Sequence, residues 1–320
     1  MKVYRSQNQA PEDFGPSALT IGNFDGVHIG HRRILRQVRA LADARGWKAS
    51  VLTFDPHPTR VVAPARTPKL LTTPERRVEL MQSEGVEQVF ILAFTLEVAQ
   101  LSPEQFVKQL LVDQLGARAV LVGENFRFGH RQAGNAQVLG ELGRKYGFET
   151  QIVAAVTCRG QVVSSSGIRD LIEKGRVSLA ARFLLGPYAL DGQVAAGRGV
   201  GSKETVPTLN LATPAEVIPG RGVYVTRTRD LDNGREWSSV TNVGYRPTFG
   251  DSGGLSIETF LLDPLAGGTP RSIRVEFLWR IRDERKFESP EALKTQIFKD
   301  ARAAERYFRR AKVWARLTPV

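Results

Sequence analysis

The sequence has little cysteine, few histidines and no long apolar run. Cys158 is the only cysteine among 320 residues, so an internal disulfide is excluded and we interpret this thiol as structural. No apolar stretch approaches the roughly 20 residues that cross a membrane. The start, MKVYRSQNQAPEDFG, lacks the apolar core of a signal peptide. These absences predict a cytoplasmic globular protein without a membrane partner.

Positive charge is in excess. The chain has 45 Lys and Arg against 33 Asp and Glu, a formal net charge of +12, with 42% hydrophobic residues. This balance suits anionic partners, whether phosphorylated small molecules, acidic surfaces or nucleic acids. Solvated basic helix faces are common, so we interpret the basic residues near the end as such a face: Arg302, Arg306, Arg309, Arg310 and Lys312.

The length predicts two domains, and Leu185-Gly186-Pro187 is the expected boundary. In residues 1–185, strands alternate with helices, which predicts a parallel sheet covered on both faces. In residues 186–320, short strands alternate with turns, which predicts a small antiparallel β-barrel. Ser289-Pro290 then caps a long C-terminal helix.

The segment Ile21–His31, IGNFDGVHIGH, reads as a strand, a tight turn and the start of a helix. The first amides of a helix are unpaired and carry partial positive charge, so a phosphate is their natural ligand. His28 and His31 can point at the same anion. A zinc site and an ordinary polar loop are the alternatives, although zinc favours further Cys or His nearby.

Two later loops have similar chemistry. All four histidines (His28, His31, His57 and His130) fall on loops that follow predicted strands, and in parallel sheets ligands bind at such ends. In Gly123–Asn135, Phe126 and Phe128 flank Arg127, which suits an aromatic ring carrying a phosphate, although a surface turn is the alternative. In Val163–Arg169, VSSSGIR, the serines either cap a helix or join Arg169 in holding phosphate.

The stretch GNFDGVHIGH, with the other motifs in order, resembles the nucleotidylyltransferase module of bacterial bifunctional riboflavin kinase/FAD synthetases over about residues 15–185. The resemblance implies a Rossmann-like domain that joins ATP to FMN, with His28 and His31 catalytic. The implied ATP-binding residues are Gly22, Phe24, Asp25, Gly26, Ser164, Ser165 and Arg169. The implied FMN-binding residues are His57, Asn125, Phe126, Arg127 and Phe128.

The segment GRGVGSK, residues 197–203, fails the P-loop pattern, because Ser202 and Glu204 stand where Gly and Ser or Thr are needed. With Pro207-Thr208-Leu209-Asn210 it resembles instead the glycine-rich loop and Pro-Thr-x-Asn motif of riboflavin kinases. Thr208 and Asn210 share one side of a strand, where their oxygens could hold Mg²⁺ and phosphate. Glu258 lies in an apolar strand and could be a general base; a solvent-facing side chain is the alternative.

The glycine-rich loop is longer than is usual in that family, and Leu209 replaces Ala. The loop still offers close backbone approach, hydroxyls and a mobile cation, which suit a triphosphate. We therefore expect a variant ATP clamp built from Gly199, Gly201 and Lys203, and an active kinase.

The sequence thus predicts a bifunctional enzyme that uses ATP and Mg²⁺ to phosphorylate riboflavin and to adenylylate FMN to FAD. We expect a monomer or weak homo-oligomer without a nucleic-acid partner. Two alternatives stay open at this point. One is a nucleotidylyltransferase with a different acceptor and a non-catalytic barrel; the other is a basic nucleic-acid-binding protein.

Overall fold

The structure is a computed structural model that describes residues 1–6, 13–195, 208–245, 254–265 and 268–317. The chain divides into two compact units, Met1–Ser165 and Ser166–Val320. The boundary that we expect at residues 185 and 186 lies further along the chain and stays a prediction.

A six-stranded parallel sheet forms the centre of the first unit, in the order β1-β4-β3-β2-β5-β8. Its strands are β1 (Lys2–Ser6), β2 (Ser17–Ile21), β3 (Lys48–Asp55), β4 (Gln88–Ala93), β5 (Ala117–Gly123) and β8 (Glu149–Val153). Two short ribbons accompany it, β6 (Arg127–Phe128) with β7 (Gly134–Asn135) and β9 (Thr157–Cys158) with β10 (Gln161–Val162). The predicted parallel sheet is confirmed.

The helices of this unit begin on the caps that the sequence supplies. They are α1 (Ile29–Arg45), α2 (Pro58–Val62), α3 (Pro74–Gln82), α4 (Leu96–Gln100), α5 (Pro103–Gln105) and α6 (Ala136–Tyr146), with 3₁₀ turns at Pro64–Arg66 and His130–Gln132. Ser102 and Gln105 form a capping box at α5. The chain then continues as a π-helix, Phe106–Gln114, where the sequence predicts a regular helix.

Both faces of the sheet are buried, as the apolar strands require. Leu52 and Phe90 belong to the core on one face, whereas Val51 and Val89 belong to the core on the other. The alternation along β3 and β4 therefore fixes which residues face which layer. The parallel direction of the strands brings the loops after β2, β3 and β5 to the carboxyl edge of the sheet.

The second unit contains a closed antiparallel barrel in the order β11-β12-β15-β14-β13-β16. Helices α7 (Ser165–Glu173) and α8 (Val177–Leu184) precede strands β11 (Tyr188–Ala195), β12 (Thr208–Ala212), β13 (Gly222–Asp230), β14 (Glu236–Tyr245), β15 (Leu255–Leu261) and β16 (Ser272–Arg282), and α9 (Pro290–Leu317) follows. The predicted barrel and C-terminal helix are confirmed.

Inside the barrel, buried hydroxyl groups hydrogen-bond to one another at 2.8–2.9 Å: Thr226, Thr228, Ser239, Thr241 and Thr259. Each of these buried polar groups has a partner, so the barrel tolerates them. Because Thr259 faces inward, its neighbours Glu258 and Phe260 face outward.

Helix α9 packs on the outside of the barrel. Ala304 is fully buried against Val223, Val225 and Val240, with Phe260 and Phe308 beside them. Arg282 on β16 makes a bidentate ion pair with the buried Asp300. Leu293, which the helical pattern places on the apolar face, is 43% exposed instead. Within the described ranges, no helix has the length and apolar character needed to cross a membrane.

Candidate active sites

His28 and His31 form a stacked pair at the start of α1. His28 is the N-cap, and its Nδ1 accepts a hydrogen bond from the His31 amide at 3.3 Å. The two imidazole rings lie 3.7 Å apart between centroids at an angle of 15°. Since Nδ1 of His28 accepts, Nε2 carries the proton in the neutral ring and is the donor available to a ligand.

Burial keeps both rings neutral. Desolvation lowers the pKa of His28 to about 4, against weaker opposing effects of a backbone hydrogen bond and Asp25. Desolvation also holds the pKa of His31 well below its usual value, with further lowering by His28 and Arg77. Both side chains are therefore neutral N–H donors near pH 7.

The glycine between the histidines shapes the pair. A Cβ atom on Gly30 would lie 3.1 Å from Cε1 and 3.2 Å from Nδ1 of the His28 ring. The His-x-Gly-His spacing therefore leaves room for the first ring against the helix.

Three residues that the resemblance assigns to ATP make contacts within the protein in this structure. Asp25 is buried, and its carboxylate accepts from the amides of Leu71 and Thr72 at 2.9–3.1 Å. The Gly26 amide donates to Thr72 Oγ1, so it is already used. Phe24 is buried with its ring edge against His31, 5.1 Å between centroids. These residues support the loop from within, because its sharp bend brings them inward.

Gly22 likewise donates its amide to the Leu52 carbonyl at 3.1 Å. By contrast, the amides of Ile29 and Gly30 at the start of α1 have no acceptor in the described part of the chain. The amides that are open to an anion are therefore those of the first turn of the helix, and the amides of Gly22 and Gly26 are already paired.

His57 lies beside this loop. It caps α2 through Nδ1, and its Nε2 lies 3.0 Å from Nδ2 of Asn23. Asn23 stands inside the motif but was not among the expected site residues, and only the structure shows its contact with His57. The structure thus brings the loops after β2 and β3 together at the carboxyl edge.

In the loop after β5, the two phenylalanines differ in exposure. Phe128 is 6% exposed and packs with Phe106, so its ring belongs to the core and not to an open ligand surface. Phe126 is half-buried and stacks on Phe128 at 5.4 Å between centroids. Asn125 and Arg127 are exposed. The three residues before Phe128 are therefore more accessible than Phe128 itself.

The serines of the third motif lie at the start of α7. Ser165 Oγ donates to the Asp25 carbonyl at 2.9 Å, which ties this segment to the histidine loop, and Ser164 precedes the helix. Arg169 lies one turn later, and its Nη1 donates to Ser166 Oγ at 3.2 Å. Arg169 belongs to the second compact unit, whereas Ser164 and Ser165 belong to the first.

On the barrel, polar side chains align across three strands. Glu258 on β15 lies opposite Asn210 on β12 and opposite Asn242 on β14, and Thr208 lies opposite Phe260. Residues opposite each other share a face, so these oxygens lie on the outer face. Ser256 Oγ donates to Glu258 Oε1 at 2.9 Å. Asn242 was not among the expected site residues.

The expected ATP clamp, Gly199, Gly201 and Lys203, lies outside the described residues. It stays a prediction.

Both halves of the chain match known protein families. The FAD synthetase family profile matches residues 10–167, and the riboflavin kinase profile matches residues 184–308. A bifunctional riboflavin kinase/FMN adenylyltransferase from Pseudomonas fluorescens is 36% identical over 93% of this chain and 94% of its own length. A second, from Escherichia coli strain K12, is 33% identical over 96% of this chain and 98% of its own length.

A crystal structure named macrolide-efflux protein, from Streptococcus pneumoniae, is similar over 95% of this chain and 99% of its own, with 27% identity and a TM-score of 0.84. The two-unit architecture is therefore shared over the whole length. Both profiles and the full-length relatives agree: the chain belongs to the family of bifunctional riboflavin kinase/FMN adenylyltransferases.

Proposed function

We infer that this chain phosphorylates riboflavin to FMN and adenylylates FMN to FAD, with ATP as donor in both reactions. The observation that carries this inference is the match of two catalytic families to successive halves of one chain, with relatives aligned across both. Riboflavin, FMN and ATP are therefore its substrates.

In adenylyl transfer, a phosphate oxygen of FMN attacks the α-phosphorus of ATP, and pyrophosphate leaves. We propose that Nε2–H of neutral His28, with His31 and the open amides of Ile29 and Gly30, donates to the charge that grows on the phosphate oxygens. Ser164 and Arg169 are proposed to hold the ATP phosphates, and His57, Asn125, Phe126 and Arg127 to bind FMN.

In the kinase reaction, the terminal ribityl hydroxyl attacks the γ-phosphorus, and ADP leaves. We propose Glu258 as the base that takes the hydroxyl proton, with Ser256 fixing one carboxylate oxygen. Asn242 and Asn210 flank Glu258 in register and are proposed to orient the reacting groups.

Magnesium is proposed as the cofactor of the kinase. Thr208, Asn210 and Glu258 offer hydroxyl, amide and carboxylate oxygens on one face, the donors that Mg²⁺ prefers. No group of three or more His, Cys, Asp or Glu in the described ranges could hold a metal alone. Thr208 and Asn210 would therefore hold Mg²⁺ together with ATP phosphates, and the ion would supply charge neutralisation there. A cytoplasmic location and a monomeric or weakly oligomeric state stay predictions.

The inference is tested by incubating the purified full-length protein with riboflavin, ATP and Mg²⁺ and separating the flavins by chromatography. We expect FMN to accumulate first and FAD to follow. Formation of FMN without FAD, with FMN supplied in excess, would remove the adenylyltransferase assignment. The absence of both products would remove the whole proposed function.

A further inference from the structure

Arg77 on α3 is a buried arginine that none of the motifs includes. It is 4% exposed, whereas arginine is almost never fully buried unless it is paired. Its Nη1 lies 3.4 Å from Thr53 Oγ1 and 3.5 Å from the Phe54 carbonyl, two neutral oxygens at the end of β3. Within the described ranges, its Nε has no hydrogen-bond partner and no carboxylate forms an ion pair with it.

The carboxylates nearest to Arg77 are committed elsewhere. Asp25, Asp55 and Glu75 all act on its charge, yet Asp25 accepts from the Leu71 and Thr72 amides. Asp55 and Glu75 each pair with Arg5. The guanidinium therefore retains a positive charge that the fold does not neutralise by direct contact, a costly arrangement for a buried ion.

This charge lies beside the adenylyltransferase loop. Thr53, the hydroxyl contact of Arg77, donates to the Asn23 carbonyl at 3.4 Å, and Asn23 in turn lies against His57. The charge also reaches His31, because it is one of the causes that lower the pKa of that imidazole. A polyphosphate bound at the start of α1 would bring the negative charge that this position lacks.

We propose, on the basis of the adenylyltransferase function inferred above, that Arg77 is a positioning residue that supplies fixed positive charge to the phosphates of ATP. It acts through the Thr53–Asn23 contact and through its electrostatic field. The ligand class that it recognises is a polyphosphate, which is present both in the substrate ATP and in the pyrophosphate that leaves.

The test compares three variants of the full-length protein. Arg77→Gln keeps a hydrogen-bond donor but removes the charge, and Arg77→Lys keeps the charge. Arg76→Gln is the matched control, because Arg76 is the adjacent residue on α3 and pairs with Glu79 at the surface. Calorimetry with inorganic pyrophosphate reports binding without turnover, and the KM for ATP in FAD synthesis reports it during turnover. Riboflavin phosphorylation and the unfolding temperature report folding.

For Arg77→Gln we expect pyrophosphate affinity to fall by about tenfold or more, with a matching rise in KM for ATP and unchanged riboflavin phosphorylation. Arg77→Lys and Arg76→Gln should stay within about threefold of the parent. The acid limb of FAD synthesis should move to higher pH in Arg77→Gln, because only His28 then lowers the pKa of His31 besides burial.

The proposal is overturned if Arg77→Gln binds pyrophosphate as the parent does, which is the result expected of a purely structural arginine. It is also overturned if Arg77→Lys loses as much affinity as Arg77→Gln, or if Arg76→Gln matches Arg77→Gln. Should Arg77→Gln not fold, the Arg77→Lys result decides alone, since a charge-based role requires near-parent affinity. A parent protein that makes no FAD contradicts the proposed function instead. The comparison of pyrophosphate affinities then still tests the role of Arg77, because it does not depend on turnover.

Discussion

At the scale of single residues, the burial of His28 couples the site to the stability of the fold. Its pKa of about 4 in the folded protein lies below the 6.5 of an unfolded chain. Below pH 6.5 the unfolded chain therefore takes up a proton that the folded protein does not, and stability falls as the pH drops toward 4. The shift corresponds to about 3 kcal/mol at most.

We expect this loss to be smaller in His28→Asn, because asparagine keeps an N-cap acceptor and does not titrate, so only His31 of the pair still contributes. Urea unfolding at pH 7 and pH 4.5 should show the parent losing more stability than the variant. Equal losses would contradict a neutral, buried His28.

Gly30 gives a second prediction at this scale, in which activity and stability separate. Alanine would improve the helix by about 1 kcal/mol, but its Cβ would press on the His28 ring at 3.1–3.2 Å. Displacement of a catalytic group by a fraction of an ångström should lower FAD synthesis by about tenfold.

We therefore expect Gly30→Ala to keep its unfolding temperature and lose adenylyltransferase activity. Gly140→Ala in α6 is the control, because nothing lies within 4 Å of its added Cβ. If Gly30→Ala retains full activity, the His28 position is less constrained than the structure indicates.

At the scale of elements, α1 is joined to the loop before it by a buried carboxylate. Glu84, with a side chain 5% exposed, accepts from Arg32 and Arg36, and Arg32 Nε donates to the Val27 carbonyl at 3.0 Å. Val27 has φ of +38°, a conformation that a β-branched residue rarely adopts. The ion pairs therefore hold a strained residue directly before His28.

Glu84→Gln leaves a buried arginine with a weaker partner, and we expect a cost of about 1–3 kcal/mol in unfolding free energy. FAD synthesis should fall severalfold while riboflavin phosphorylation persists. Glu79→Gln, at a surface pair with Arg76, is the control and should change neither quantity. A loss of both activities in Glu84→Gln would show that the effect is not local to this loop.

The elements themselves were largely predictable from the sequence. Local signals such as Thr73 before Pro74 and Ser102 before Pro103 indicate the helix starts, since capping is decided within a few residues. The cap at His28 has no such signal, because histidine is not a preferred N-cap residue. The π-helix was missed, because no local pattern distinguishes it from a regular helix. Strand β11 begins at Tyr188, which the sequence does not indicate, since Asp191-Gly192 reads as a turn in isolation.

The sequence predicts which loops meet at the candidate site, but not the orientation of every side chain on them. The motifs lie on the loops at the sheet edge that the sequence indicates, yet Asp25 and Phe128 face inward, which depends on the distant residues Leu71 and Phe106. Arg77 meets Thr53 from 24 positions away. Such contacts depend on how the layers pack, and no spacing in the sequence records them.

At the scale of the whole molecule, the chain carries two chemistries in two compact units. His28 and His31 lie in the first unit, whereas Glu258 and Asn210 lie in the barrel of the second. No residue proposed for riboflavin phosphorylation is shared with the histidine pair. The two activities should therefore be removable one at a time.

The most direct measurement is a flavin assay on two variants, each supplied once with riboflavin and once with FMN. We expect His28→Ala to form FMN from riboflavin but almost no FAD from either flavin. Glu258→Gln should form FAD from FMN at the parent rate, while riboflavin phosphorylation falls by about a hundredfold or more. Loss of both activities in either folded variant would contradict the division of labour between the two units.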